Sequence, residues 1–149
     1  MGRRSRIHGQ GQSGGLEVIG MRILVDSNRF IDFCAGVEEV VATFERASIL
    51  VIPFVVLAEI RVGAQLARRG ESQVRALGEL LNQPGVRTVH STDGTAHHYA
   101  AIFSQLRRKG TPIPTNDIWI AALALEHNLI LYTRDAHFDN IPSVPRIGR

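Results

Sequence analysis

The feature that most constrains the fold is a regular alternation of short apolar runs with longer amphipathic segments. Four apolar runs read as buried strands, at residues 22–26, 49–52, 86–89 and 129–133. The segments between them predict helices, because their apolar residues recur at helical spacing and Pro, Gly or capping residues mark their ends. Strands that alternate with helices form a parallel sheet covered on both faces. The sequence therefore predicts an α/β protein, a three-layer α/β/α sandwich with a central parallel sheet.

Capping residues and glycines indicate where the predicted helices begin and end. Ser27 is expected to cap the first helix, and Gly70 to lie near the end of the third. Gly110, just behind three basic residues, is expected to end the long helix before it. The predicted helices cover 27–33, 37–46, 53–68, 71–81, 92–109 and 116–127, and a short edge strand is predicted at 144–147.

The first twenty residues differ from the rest of the chain. They are basic and then rich in Gly, Gln and Ser, whereas Met21 opens the first patterned segment. We therefore predict a flexible N-terminal extension at 1–20 and one domain at 21–149. The extension carries Arg3, Arg4 and Arg6 against a single acid, so the domain itself is nearly neutral and bulk charge does not argue for nucleic acid. A nucleic-acid-binding arm is the alternative interpretation of the extension.

Cysteine content and hydropathy bear on the compartment. Cys34 is the only cysteine, which excludes an internal disulfide and suits a reducing cytosol. It lies in an apolar helical stretch, so we expect it to be packed rather than to act as a nucleophile. No apolar run approaches the about 18–20 residues of a membrane helix, and the first twenty residues lack the apolar centre of a secretory signal. A cytoplasmic protein without membrane contact is expected.

Four carboxylates stand out by their positions. Asp26 ends the first strand and Asp135 follows the fourth, so both are expected at the carboxyl edge of the sheet, where ligands bind in such folds. Asp117 lies in the first turn of a helix, on its apolar face. Glu59 lies in the middle of an apolar helical stripe. At about 100° per residue, the stripe comprises Val55, Val56, Val62, Gly63 and Leu66.

Each acid alone has an ordinary structural interpretation. Asp26 or Asp117 could cap a helix, Asp135 could be a turn residue, and Glu59 could form a salt bridge with an arginine. Together they indicate a metal site, because crowded carboxylates repel one another unless a cation neutralises them. Oxygen ligands suit Mg²⁺ or Mn²⁺, whereas the histidines are not spaced with the cysteine for zinc. Such a site can activate water and stabilise charge on a phosphate.

Four stretches carry a family resemblance. They are Ile23-Leu24-Val25-Asp26-Ser27-Asn28, Leu57-Ala58-Glu59-Ile60, Asn116-Asp117-Ile118-Trp119-Ile120-Ala121-Ala122 and Leu131-Tyr132-Thr133-Arg134-Asp135-Ala136-His137-Phe138. In this order they resemble the PIN-domain ribonucleases, and more narrowly the VapC-type toxins of bacterial toxin–antitoxin pairs. The resemblance implies that Asp26, Glu59, Asp117 and Asp135 bind the metal and that Thr133 assists. It also implies a PIN-like fold, a homodimer and an antitoxin partner that blocks the site.

Three further residues could line the site. Asn28 stands in the first matching stretch, and His137 and Asp139 closely follow Asp135. Asn28 and Asp139 are candidate accessory residues, and Asp139 could supply a fifth acid. For His137 we favour the interpretation that it is a loop residue.

The expected function is therefore that of a toxin, an endoribonuclease that depends on Mg²⁺, with Mn²⁺ as the alternative ion, and hydrolyses RNA phosphodiester bonds. A housekeeping PIN nuclease and a non-catalytic module that binds RNA or a partner remain as alternatives. A phosphatase with an aspartyl nucleophile is disfavoured, because that chemistry requires a second acid where this chain has Asn28. A receiver domain is also disfavoured, because it requires a lysine late in the chain. Lys109 is the only lysine here, and it lies in a basic cluster.

Overall fold

Five parallel strands form one sheet in the computed structural model, which describes residues 20–148. Their order is β3-β2-β1-β4-β5, which confirms the predicted parallel sheet and places the short C-terminal strand at an edge. The strands are β1 (Arg22–Val25), β2 (Ile49–Pro53), β3 (Val86–Val89), β4 (Ile130–Tyr132) and β5 (Arg146–Ile147). From β1 the chain proceeds outward to β2 and β3, and later returns to add β4 on the other side. The direction in which strands are added thus reverses between β1 and β4, and α/β sheets bind ligands at such a position.

Helices cover both faces of the sheet and complete the predicted α/β/α sandwich. Within residues 20–148 the α-helices are α1 (Ser27–Cys34), α2 (Glu38–Arg46), α3 (Phe54–Leu66), α4 (Gly70–Leu81), α5 (Asp93–Lys109) and α6 (Thr115–Glu126). A 3-10 helix follows at Ala136–Asn140. Most boundaries lie within two residues of the sequence expectation. The cap of α1 is a correction: Asp26 is the N-cap residue, and Ser27 is the first residue of the helix.

The core lies where β1, β4 and α6 meet. Ile23, Leu24 and Val25 are fully buried, as a central strand covered on both faces requires. On α6 nearly every residue from Ile118 to Ala124 is buried, so this helix lies inside the molecule rather than at its surface. Because β1 and α6 are held by packing on all sides, the acids at their ends are attached to rigid elements.

Gly70 has a different role from the one expected. It is the first residue of α4, and a Cβ placed there would come within 2.0 Å of Ala64 Cα on α3. Only glycine therefore allows the backbones of α3 and α4 to approach this closely. The expected helix end near Gly70 marks a tight contact between two helices.

The predicted extension, residues 1–20, lies outside the described residues except for Gly20. The chain enters the fold at Met21, whose carbonyl accepts hydrogen bonds from the Ser48 backbone N–H (2.9 Å) and hydroxyl (3.0 Å). Cys34 is partly buried and packs against the core, as expected. None of the helices described here is long and apolar enough to cross a membrane.

Candidate active site

The carboxyl edge of the sheet is organised around Asp26, which directly follows β1. Its backbone N–H donates to the Tyr132 carbonyl on β4 (3.0 Å), and the residue is only 3% exposed. Asp26 Oδ1 accepts a hydrogen bond from the Ser27 backbone N–H (2.8 Å). Oδ2 accepts from the Thr133 hydroxyl (2.7 Å) and from Asn28 Nδ2 (3.1 Å). These contacts hold the carboxylate in one orientation where β1 gives way to α1.

Thr133 and Asn28, the two candidate accessory residues nearest Asp26, join the ends of β1 and β4. The Thr133 hydroxyl accepts from the Asp135 backbone N–H (3.0 Å) while it donates to Asp26. Asn28 lies between them, since its amide nitrogen is 3.3 Å from Thr133 Oγ1 and its amide oxygen accepts from the Arg134 backbone N–H (3.3 Å). The acids at the two strand ends are therefore linked by a continuous hydrogen-bond network.

Asp135 and His137 extend this network to α6. Asp135 is the N-cap of the 3-10 helix, and its Oδ1 accepts from the His137 backbone N–H (2.9 Å). His137 Nδ1 is 2.8 Å from Asp117 Oδ2 and 3.2 Å from Asp135 Oδ1. The loop interpretation of His137 is thus wrong: the residue lies in a 3-10 helix and bridges two of the four acids. Asp117 is directed at this imidazole, and within residues 20–148 its carboxylate caps no backbone N–H.

Glu59 approaches the cluster from α3. Its Oε2 accepts a weak hydrogen bond from the Ser27 hydroxyl (3.4 Å). Its Oε1 is buried and has no hydrogen-bond partner among the described residues. In the same part of the chain no arginine or lysine lies within 4.0 Å of this carboxylate. The salt-bridge interpretation of Glu59 therefore finds no partner within residues 20–148.

The apolar stripe around Glu59 is buried over only part of its length. Val55 is 4% exposed and Val56 is fully buried, whereas Val62 is 56% and Leu66 is 81% exposed. The last turns of α3 therefore expose apolar side chains of this stripe at the surface. Periodicity correctly identifies one face of the helix, but it does not reveal where the sheet beneath that face ends.

The family model described as the PIN domain matches residues 23–144. The chain belongs to the PIN-domain family. Among curated relatives, Ribonuclease VapC1 of Haemophilus influenzae strain R2866 is 35% identical over 86 residues, which are 58% of this chain and 63% of the relative. Ribonuclease VapC4 of Mycobacterium tuberculosis is 28% identical over 93 residues, which are 62% of this chain and 72% of the relative. The alignment with VapC1 thus spans less than two thirds of that relative.

Solved structures extend the likeness to most of the PIN domain. VapBC-1 from nontypeable Haemophilus influenzae has a TM-score of 0.73 and 28% identity, over 85% of this chain and 97% of that one. VapBC-5 from Mycobacterium tuberculosis, described as a member of a family of toxin–antitoxin systems, has a TM-score of 0.67 and 27% identity, over 87% and 98% of the two chains.

The pKa values of Glu59, Asp26 and Asp117 are raised in this PIN domain. Burial, followed by the charges of Asp26 and Asp117, raises the pKa of Glu59 from 4.5 to about 6. Burial also raises the pKa of Asp26, although the hydrogen bonds from Thr133, Ser27 and Asn28 oppose it. The negative charges also repel one another at short range, which raises the pKa values of these acids further.

Asp117 and His137 perturb each other in opposite senses. Burial raises the pKa of Asp117, against the hydrogen bond to His137, and the charges of Asp26 and Asp135 raise it further. The hydrogen bond to Asp117 is the main cause that raises the pKa of His137, and the charge of Asp135 adds to it. The hydrogen bond between the two side chains thus favours the charged form of each.

The candidate fifth acid, Asp139, contacts a basic residue. Its Oδ1 accepts a hydrogen bond from Arg146 on β5 (2.6 Å). The described ligand atoms that all come within 4.8 Å of one another belong to Asp117, Asp135 and His137, whereas Asp26, Glu59 and Asp139 are not among them. His137 is the residue that sequence reasoning underrated. Its spacing of two residues from Asp135 was the available signal, but its contact with Asp117 depends on a partner twenty residues away along the chain.

The side chains present fit a divalent cation. Carboxylate oxygens are the ligands that Mg²⁺ and Mn²⁺ prefer, and Asp26, Asp117 and Asp135 lie on a strand end, a helix start and a tight turn. The buried Oε1 of Glu59 has no hydrogen-bond partner among the described residues, and an ionised carboxylate is costly to bury alone. This atom is therefore the strongest indication that a cation binds here.

Proposed function

We propose that this protein is the toxic component of a toxin–antitoxin pair and that it cuts RNA as a Mg²⁺-dependent endoribonuclease. The observation that carries the proposal is the convergence of Asp26, Glu59, Asp117 and Asp135 from four separate elements, without a basic side chain that neutralises Glu59 among the described residues. Relatives named as ribonucleases support the reaction class. The description of VapBC-5 supports the toxin role and the antitoxin partner.

Asp26, Asp117 and Asp135 would hold the ion, and Glu59 would complete the cluster. A bound Mg²⁺ would lower the pKa of an attacking water and offset negative charge on the phosphate. Thr133 and Asn28 keep the Asp26 carboxylate in place, so that it does not have to reorganise when substrate binds. Glu59, with a pKa near 6, is mostly ionised at neutral pH and can accept a proton from water.

The decisive experiment replaces the most rigid ligand. Asp26→Asn keeps the size and hydrogen-bonding capacity of the side chain but removes its charge. We expect RNA cleavage in Mg²⁺ to fall by at least about 100-fold, since even partners of metal ligands matter 10–100-fold. EDTA should abolish cleavage by the unaltered protein. Asp93→Asn, at an exposed acid at the start of α5, is the matched control and should cut normally.

Two outcomes would contradict the proposal at different levels. Near wild-type cleavage by Asp26→Asn in Mg²⁺, with the fold intact by circular dichroism, would rule out the metal-ribonuclease mechanism. Vigorous cleavage in vitro by a protein whose expression is harmless to cells would instead rule out the toxin role, and a housekeeping PIN nuclease would be the better description. Co-expression of a small antitoxin that inserts an arginine into the acidic site should relieve toxicity.

A further inference from the structure

His137 is placed as a metal ligand would be placed. Its backbone N–H donates to Asp135 Oδ1 (2.9 Å), which fixes the start of the 3-10 helix relative to that carboxylate. Its Nδ1 lies 2.8 Å from Asp117 Oδ2 and 3.2 Å from Asp135 Oδ1. The three side chains form the one described group of three ligand atoms that all lie within 4.8 Å of one another.

These separations match adjacent ligands of a single ion. Ligands at about 2.1 Å from an octahedral cation are separated by about 3.0 Å when they occupy neighbouring positions. The two separations from His137 Nδ1, 2.8 Å and 3.2 Å, bracket that value. The same spacing serves a hydrogen bond when the imidazole carries a proton on Nδ1. When Nδ1 carries no proton, its lone pair is free to bind a cation that the same two carboxylate oxygens hold.

An imidazole nitrogen changes which ion the site prefers. Mg²⁺ binds almost exclusively through oxygen, whereas Mn²⁺ and later transition metals also accept imidazole. A group of two carboxylates and one imidazole therefore gains affinity for Mn²⁺ that it does not gain for Mg²⁺. We infer that His137 is a nitrogen ligand of the ion bound by Asp117 and Asp135, and that it raises the affinity of the site for Mn²⁺ more than its affinity for Mg²⁺. This inference rests on the proposed function, since it concerns the same ion.

The direct test is spectroscopic and requires no cleavage assay. The full-length protein is stripped with EDTA, dialysed and loaded with substoichiometric Mn²⁺, and pulsed electron paramagnetic resonance records the coupling of ¹⁴N to the ion. We expect a directly bound nitrogen in the unaltered protein and its loss in His137→Gln. His97→Gln is the matched control, because His97 is an exposed histidine on α5, and it should retain the signal.

Affinities provide the second readout. The electron paramagnetic resonance signal of free Mn²⁺ gives the Kd of Mn²⁺. Competition between Mg²⁺ and Mn²⁺ gives the Kd of Mg²⁺. In His137→Gln we expect the Mn²⁺ Kd to rise about tenfold, at the lower end of what a changed ligand sphere produces, and the Mg²⁺ Kd to rise much less. Thermal melts in EDTA check that the variant remains folded.

The outcomes separate this inference from the proposed function. If Mn²⁺ binds the unaltered protein without nitrogen coupling, or if His137→Gln weakens both ions equally, then His137 merely orients Asp117 and the inference is wrong, while the nuclease proposal stands. If the unaltered protein binds neither ion and cuts RNA in EDTA, the proposed function itself is wrong.

Discussion

Replacing Glu59 with glutamine should stabilise the protein in the absence of metal, and the gain should depend on pH. The pKa of Glu59 is raised from 4.5 to about 6 by burial and then by Asp26 and Asp117. The folded protein therefore binds this proton more tightly than the unfolded chain does. The stability that this tighter proton binding contributes is fully present below about pH 4.5 and is lost as the pH rises through about 6.

The size of the effect follows from the shift. A difference of about 1.5 pKa units corresponds to at most about 2 kcal/mol at pH 8, and solvent at this half-buried side chain reduces the expected value to about 1 kcal/mol. Gln cannot ionise, so Glu59→Gln should escape the loss. In EDTA we expect the variant to be about 1 kcal/mol more stable than the unaltered protein at pH 8, and nearly equal to it at pH 4.5.

Urea unfolding at pH 4.5, 6 and 8 measures these differences. Glu79→Gln, at an exposed acid on α4, is the matched control for the change from Glu to Gln. Mg²⁺ should reverse the order at pH 8, because only a protein that binds the ion tightly gains stability from it. If Glu59→Gln is destabilised at pH 8 in EDTA, then a cationic partner compensates the charge and the reasoning fails.

Three further predictions concern packing, the extension and assembly. Gly70→Ala should destabilise the protein by more than about 2 kcal/mol, because the new Cβ meets the backbone of Ala64. Gly78→Ala on the same helix has open space around the new Cβ and should stabilise the protein by about 0.5–1 kcal/mol. Urea unfolding of both variants measures these differences. Deleting residues 1–20 should leave RNA cleavage unchanged, and a tenfold loss would make the arm part of RNA binding. The protein should form a homodimer through apolar faces of α2 and α5, and light scattering that detects only a monomer of 16.4 kDa at high concentration would contradict this.

The strands and most helix ends could be predicted from the sequence because local chemistry determines them. Continuous apolar runs such as Ile49–Ile52 have few structural options other than a buried parallel strand. Gly110 adopts a left-handed conformation with a φ of 69°, as expected for the residue that ends α5. The four acids could be singled out for the same reason, since a charge at an apolar position or a strand end is visible without a structure.

The features that were missed depend on contacts between distant segments. The tight approach of α3 and α4 at Gly70 depends on the angle between the two helices, and no local pattern encodes that angle. The exposure of Leu66 depends on which part of α3 its neighbours cover, and Leu66 is 81% exposed. His137 reaches Asp117 only because α6 and the 3-10 helix start side by side. Periodicity identifies the face of a helix, but the neighbour that covers the face is set by tertiary structure.

The structural and functional interpretations of the acids are not mutually exclusive in this fold. Asp26 caps α1 and Asp135 caps the 3-10 helix, yet both also lie at the carboxyl edge of the sheet. The coincidence has a physical cause: a residue that leaves a parallel strand is both at that edge and in front of the next helix. Glu59 breaks the pattern, because it caps no helix and pairs with no basic side chain within the described residues. Its charge carries a free-energy cost that either a proton or a bound cation would offset, so substitution of Glu59 separates metal binding from folding most cleanly.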